Sequence, residues 1–440
     1  MVRFLGYLFV TIICSMYIFP IELAILPSVN TKMVMAVLGI VVYLYNVIAG
    51  RGISIQNKII FIGISALSVS FCGLISVLYN ETNDFTYALY FVSFAVWLSA
   101  SYFVVTCMRR LHGIVSLEIV CRYLIAVALL QCVLAILIDF FPSFKIGVNK
   151  VVVGFASMYS AGSGIEKAGR LYGIGAALDV AGSRFCAILA MCGFFLSDSY
   201  QSPRKSFQWF YILSFGVILV VGSMISRTTI LGLLLIICYW FFVKKWIEII
   251  NNKRFISAVI ILLLLCVYLY KESVFFYENA RFAFEGFFNW WERGYWETNS
   301  TNTLSSMYKF PDNLKTWIIG DGYFDEPYIG DPYYIGESRS WGLFYMGTDV
   351  GYCRFIFYFG LLGLLSFVGY FIYCARCCIL KLSQKKWVIL LLLLLNFLIW
   401  FKVATDIFCL FALFLCVSKE ENDEYELKRQ LEIQELENGR

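Results

Sequence analysis

The sequence predicts an all-α polytopic membrane protein with about twelve transmembrane helices and one large folded loop on the outer side. Three observations predict it. The 440 residues are 60% hydrophobic, 18% aromatic and only 15% charged, with a mean hydropathy of +0.76, whereas soluble domains carry about 25% charged residues. Apolar runs of bilayer length, roughly 17 to 25 residues, begin near residues 3, 33, 59, 86, 118, 177, 207, 229, 255 and 354. The basic residues fall in alternate short loops.

The first run, FLGYLFVTIICSMYIF, follows Arg3. Pro20, Ile21, Glu22 and Leu23 behind it offer no small-x-small cleavage site, so it reads as a retained span and not a removed leader. Residues 1–138 hold the first five transmembrane helices, and 139–176 form a first large loop. Helices 6–9 occupy 177–270, the largest loop runs over 271–352, helices 10–12 fill 353–418, and 419–440 is a charged tail. The last apolar block, residues 387–417, is short for two full spans and long for one. Lys402 and Asp406 stand four apart in its middle, so it reads as two short helices whose tight hairpin the pair caps at the membrane face. The tail, KEENDEYELKRQLEIQELENGR, reads as a solvated helix. No internal repeat supports an inverted-repeat transporter.

Arg51 and Lys58, Arg109 and Arg110, Arg204 and Lys205, the group Lys244, Lys245, Lys253 and Arg254, and Arg376, Lys381, Lys385 and Lys386 occupy alternate loops. Positive charge marks the cytoplasmic side. Both chain ends are therefore expected in the cytoplasm, with loops 139–176 and 271–352 outside. Intervening loops such as NETNDF at 80–85 hold almost no positive charge. A net charge of +5 scattered over many loops excludes a nucleic-acid patch. The fifteen cysteines fall mostly within apolar runs, as at Cys72, Cys132, Cys192 and Cys266, where a thiol is a small hydrophobe and no disulfide framework is implied.

The 271–352 loop carries Trp290, Trp291, Trp296, Trp317 and Trp341. It is too long for a plain connection and too aromatic for disorder, so it is expected to fold. Its aromatic rings offer stacking faces to sugars or form an interfacial belt. Three arginines lie at the outer edge of predicted helices: Arg170 in GRLYGIGAALDVAG, Arg227 in GSMISRTTILGLLL, and Arg354 in DVGYCRFIFYFG. Arg184 lies further into the sixth span. A charge at bilayer depth costs about 2.5 to 3.5 kcal/mol. Snorkelling accounts for any one of them, but the set reads as an anion site, because guanidinium forks match phosphate oxygens. A lipid-linked diphosphate is an anion that belongs there. Asp349 is then either a base for an attacking sugar hydroxyl or an ion-pair partner of Arg354 or a helix cap. Arg281, Tyr352, Asp321 and Tyr323 complete the candidate substrate-binding set.

Other signals carry less. Gly173 and Gly175 form a GxG with no strand before it, so a dinucleotide site fails. His112, the sole histidine, reads as a solvated loop residue. CARCC at 374–378 has no histidine or second cysteine pair near it. Asp321, Asp325, Glu326, Asp331 and Glu337 read as loop solvation or sugar contacts, so neither a metal nor a cofactor is called for.

The layout and three stretches of sequence together resemble the Wzy-type O-antigen polymerases. RLYGIGAALDVAG at 170–182 is similar to the arginine-and-glycine element opening that family's sixth span. ISRTTILGLL at 225–234 resembles the serine-arginine pair heading a later helix. IIGDGYF at 318–324, followed by DVGYCRFIFYFGLLG at 349–363, resembles the glycine-rich turn and D-x-G-Y element closing the large loop, and this pairing is the most specific. One departure stands out: where some polymerases have a glycine eleven positions after the arginine, this chain has Ala181, with Gly182 one beyond. The resemblance implies an inverting glycosyltransferase of the GT-C type in a bacterial inner membrane, with its large loops periplasmic. It implies undecaprenyl-diphosphate-linked oligosaccharide as substrate, membrane lipid around it, and a polysaccharide chain-length regulator as partner protein. Arg170, Arg227 and Arg354 would hold the leaving diphosphate and Asp349 would act as base. Two rivals share features: an O-antigen ligase, which resembles this architecture but carries a periplasmic histidine, and a lipid-linked oligosaccharide flippase.

Overall fold

Each long apolar run folds as a helix, because hydrocarbon offers backbone N–H and C=O groups no partner and a helix satisfies them within one segment. The computed structural model describes residues 2–50, 57–153, 170–199, 205–244, 252–325 and 344–438. Arg51, Arg204, Lys245, Glu326, Asp331, Glu337 and Trp341, which enter the sequence reading, lie outside these residues. In chain order the described helices are α1 Val2–Ile18, α2 Thr31–Ile48, α3 Asn57–Tyr79, α4 Tyr90–His112, α5 Leu117–Phe140 and α6 Pro142–Val151. Then come α7 Leu178–Ser199, α8 Lys205–Ile225, α9 Thr229–Phe242, α10 Lys253–Glu272, α11 Val274–Ala283 and α12 Glu285–Arg293. The last are α13 Asn299–Ser306, α14 Leu314–Ile319, α15 Gly351–Lys381, α16 Lys386–Ile399, α17 Phe408–Cys416 and α18 Lys419–Asn438.

Eight of them, α2, α3, α4, α5, α7, α8, α10 and α15, are long and apolar enough to cross a membrane. The chain is an all-helical multi-pass membrane protein. Block 387–417 divides into α16 and α17, of 14 and 9 residues. At about 1.5 Å per residue neither reaches across a hydrocarbon layer of about 30 Å. Even so, α17 is the centre of the bundle: Phe408 to Leu415 are all buried, packed against α4, α5 and α15. By contrast α10 has no buried residue and lies on the outside. Small residues let helices close up, as between α2 and α4, where a Cβ on Gly39 would fall 1.9 Å from the Ser99 carbonyl oxygen.

The described part of the large loop is also helical. Ser273, Thr298 and Asn313 cap α11, α13 and α14 through their side-chain oxygens, supplying acceptors that a helix start lacks. The IIGDGYF turn after α14 docks into a kink of α15 at Gly360. There φ is +66°, and a Cβ would fall 2.2 Å from the Ile318 carbonyl, so only glycine fits. Asp321 N donates to the Phe357 carbonyl (2.6 Å) and Gly322 N to that of Tyr358 (3.1 Å). NETNDF grips the same turn from the other side: Thr82 Oγ1 donates to the Gly322 carbonyl (2.8 Å), and Phe324 N donates to Asp84 Oδ2 (2.7 Å).

Two expectations are corrected. The tail α18 is not a solvated helix but lies along the bundle. Arg109 holds Glu421 through two bonds of 2.5 and 2.9 Å, Arg429 bridges Asp198 (3.1 Å) and Glu118 (3.3 Å), and Lys385 reaches Asp198 (2.7 Å) and Glu426 (3.8 Å). Buried Asn422 accepts from Leu117 N (3.2 Å). Residues 421, 422, 425, 426 and 429 fall on one face at helical spacing, opposite charged ends of α4, α5 and α7. His112 is likewise no loop residue: it closes α4, pairs with Tyr123 Oη (2.9 Å) and stacks on Tyr7.

Candidate functional site

Arg184, Arg227 and Arg354 sit on separate elements, and folding brings those elements to one turn, residues 400–407 between α16 and α17. Lys402 Nζ donates to Thr228 Oγ1 (2.5 Å), beside Arg227. Tyr352 N donates to the Trp400 carbonyl (3.1 Å), two residues before Arg354. Arg184 interacts electrostatically with Asp406 and Cys409. The start of α7 abuts the 226–228 turn so closely that a Cβ on Gly182 would fall 2.5 Å from Ser226 Oγ. Gly182 therefore serves packing at the head of α7.

Arg170 and Arg227 meet over one aromatic ring. Their guanidinium carbons lie 4.9 and 4.1 Å from the centroid of Phe282. Arg227 Nε donates to the Phe282 carbonyl (2.8 Å), and its Nη1 reaches Ser300 Oγ (3.1 Å) and Glu285 (2.7 Å). Burial lowers the Arg227 pKa, Glu285 opposes this, and the Arg170 charge adds to it, as expected for two like charges brought together. Both arginines stay cationic, since guanidinium does not deprotonate in proteins.

Arg354, at the head of α15, is only 5% exposed. Its Nη2 donates to the Phe324 carbonyl (2.9 Å) and to Asp325 (2.5 Å), and its Nη1 lies 3.7 Å from Asp349. Its guanidinium lies over the rings of Phe324 and Phe344. The closer carboxylate is thus Asp325 and not Asp349. Asp349, partly buried, faces the arginine at longer range, a geometry compatible with either role the sequence left open.

The remaining sequence candidates divide. Asp321 is 5% exposed, and Lys315 Nζ (2.6 Å), Thr316 Oγ1 (2.6 Å) and Tyr345 Oη (3.2 Å) donate to its two oxygens. It holds the glycine turn. Tyr323 is buried and stacked on Tyr345. Tyr352 donates to the Phe397 carbonyl (3.1 Å) and packs on Phe401. Arg281 pairs with Glu292 (2.5 Å) about 100° around α11 from Phe282. Asp321 and Asp325 serve different partners, and no group of three metal-ligating side chains occurs among the described residues.

Sequence reasoning missed Phe282, Glu285 and Lys32. Phe282 and Glu285 gave no signal, since loop aromatics and acids are common. Lys32 did give one. It is a lone cation in the first turn of α2, where the helix dipole disfavours positive charge. A cavity of about 280 Å³ lies at the opposite end beneath α18, among Glu118, Arg122, Tyr425 and Arg429. The arginine geometry defines the candidate site and that cavity does not, because its charges already pair with one another. Comparison of the chain with models of known protein families, with curated proteins and with solved structures finds no match.

Proposed function

We propose that the chain is a polysaccharide polymerase, an inverting glycosyltransferase that joins undecaprenyl-diphosphate-linked oligosaccharide repeat units. In this reading it has about twelve spans in a GT-C-type arrangement and lies in a bacterial inner membrane with the arginine end periplasmic. The observation that carries the proposal is the meeting of the arginine-bearing heads of α7, α9 and α15 around the 400–407 turn. The acceptor hydroxyl attacks the anomeric carbon of the donor sugar, the bond from that carbon to the diphosphate oxygen breaks, and the hydroxyl proton passes to Asp349. Negative charge builds on the departing diphosphate, so fixed cations there supply the largest catalytic contribution. Arg170 and Arg227 hold it from one side of the turn and Arg354 from the other. Glu285 and Asp325 are the carboxylates an incoming diphosphate would displace. The exposed Trp290, Trp291 and Trp296 offer faces to the glycan, and a chain-length regulator is the expected protein partner.

The test is the ladder of polysaccharide lengths made by a strain lacking this chain and complemented with Arg170→Ala, Arg227→Ala or Asp349→Ala. Loss of long chains, with single repeat units still reaching the lipid core, is expected. Unchanged chain length would end the site assignment. Loss of even the single units in the uncomplemented strain would favour a flippase.

A further inference from the structure

Arg184 has more binding capacity left over than Arg354, of which only Nε is buried without a hydrogen-bond partner. Arg184 is 7% exposed, and its Nε and Nη1 are buried without a hydrogen-bond partner. Its guanidinium lies 5.7 Å from the Phe19 ring centroid and 5.8 Å from that of Trp97. Lys32 Nζ lies 4.4 Å from the same Trp97 centroid. The two cations therefore share one indole as a wall, which puts them within about 10 Å of each other by geometry alone. Each is electrostatically coupled to the other and to Asp406, and neither has a salt-bridge partner at ion-pair distance among the described residues.

The charge balance is uneven. Two cations face one carboxylate, and Asp406 Oδ1 already accepts from Phe408 N (2.9 Å) at the start of α17. Lys32 also sits at N2 of α2 behind the cap Asn30, where the helix dipole adds positive potential. Like charges held in an aromatic, poorly hydrated enclosure repel strongly. An anion relieves that repulsion and satisfies the two orphaned guanidinium nitrogens at once.

We infer that Lys32 and Arg184, walled by Trp97 and Phe19, form an anion site for a phosphate or diphosphate group. This site is distinct from the Arg170–Arg227 pair over Phe282. Its assignment to a lipid carrier rests on the proposed function, in which two carrier-linked substrates meet and two diphosphates must be held. Lys32 supplies a rotatable point charge and Arg184 a planar fork, so the pair can grip adjacent phosphate oxygens.

The experiment uses the full chain in nanodiscs of zwitterionic lipid, in phosphate-free buffer, with inorganic pyrophosphate as probe and calorimetry as readout. Pyrophosphate is expected to bind the wild type, about tenfold or more weakly to Lys32→Met and Arg184→Gln, and nearly normally to Lys32→Arg. Size-exclusion profiles check that each variant is folded, and Lys32→Met, whose stem is kept, serves as the decisive variant. No binding to the wild type, or binding to Lys32→Met within about twofold of it, overturns the site. A second arm adds polyprenyl diphosphate or phosphatidylglycerol to the disc. Competition by the first at low mole fraction supports the carrier assignment, whereas equal competition by the second overturns it. Intact polymerisation with pyrophosphate binding indifferent to Lys32 sinks this site alone. Lys32-dependent binding in a protein whose loss leaves chain length unchanged sinks the polymerase reading alone.

Discussion

Arg170 and Arg227 lie against the ring of a single residue, Phe282, at 4.9 and 4.1 Å from its centroid. Arg227 Nε also donates to the Phe282 carbonyl. A residue of the large loop thus orients two cations, one from the segment before α7 and one from the turn before α9. Phe282→Ala removes the ring and keeps the backbone acceptor. The expected outcome is a loss of chain extension of about tenfold, the scale of two cation–π contacts, with Phe282→Tyr close to wild type. Polysaccharide length on gels, with expression controlled by immunoblot, checks it.

The two carboxylates facing Arg354 differ in kind. Asp325 holds the guanidinium at 2.5 Å from an exposed position, while Asp349 stands at 3.7 Å and is less exposed. Asp325→Asn keeps the Phe324 carbonyl as an anchor for Arg354, so activity should fall by less than about tenfold, as for exposed ion pairs. Asp349→Asn removes the base of the proposed reaction and should reduce polymerisation by about a hundredfold or more. Single-turnover extension of a lipid-linked acceptor separates the two. Equal effects would mean that Asp349 is only a partner of Arg354.

Asp321 is a structural carboxylate. Asp321→Ala removes the oxygens that Lys315, Thr316 and Tyr345 share as acceptors, at a cost of about 2 kcal/mol or more. A lower melting temperature in detergent, together with faster proteolysis of the 271–325 region, is the expected result. An unchanged melting curve with lost activity would instead assign Asp321 to substrate.

Gly360 is where α15 breaks so that the IIGDGYF turn can enter. Gly360→Ala places a Cβ 2.2 Å from the Ile318 carbonyl at a φ of +66°, so the turn must leave its seat. Very low yield of folded protein is expected, whereas Gly369→Ala, where an added Cβ meets nothing within 4 Å, should behave as wild type. Fluorescence-detected size exclusion reports both.

The docked tail stabilises the other end. Arg429→Ala withdraws a cation from Glu118 and Asp198, and breaking such a partly buried network costs about 3 kcal/mol. A clear drop in melting temperature is expected, with polysaccharide length retained at permissive temperature. No drop would mean that α18 is held by other contacts.

The sequence alone determined the class of protein and the position of its long apolar helices, but not of the short loop helices α6 and α11 to α14. Apolar runs set where α1 to α5, α7 to α10 and α15 lie, because hydrocarbon leaves the backbone no partner outside a helix. It also singled out IIGDGYF by resemblance, whereas the close approach of its backbone to α15 appears only in the fold. The tertiary structure decided what each charged residue faces. Asp321 reads as a solvated or sugar-contacting loop acid and Arg354 as a phosphate ligand facing Asp349, yet Lys315 holds the first and Asp325 the second. Lys32 and Arg184 stand about 150 residues apart and share an indole only because the fold brings Trp97 of α4 within reach of both side chains, a relation that spacing along one chain does not encode. The tail followed the same logic: its charges have a helical period that reads as solvation until α4, α5 and α7 present the opposite charges to it. Local pattern specifies which backbone forms, whereas ion pairing depends on distances that only the packed bundle fixes.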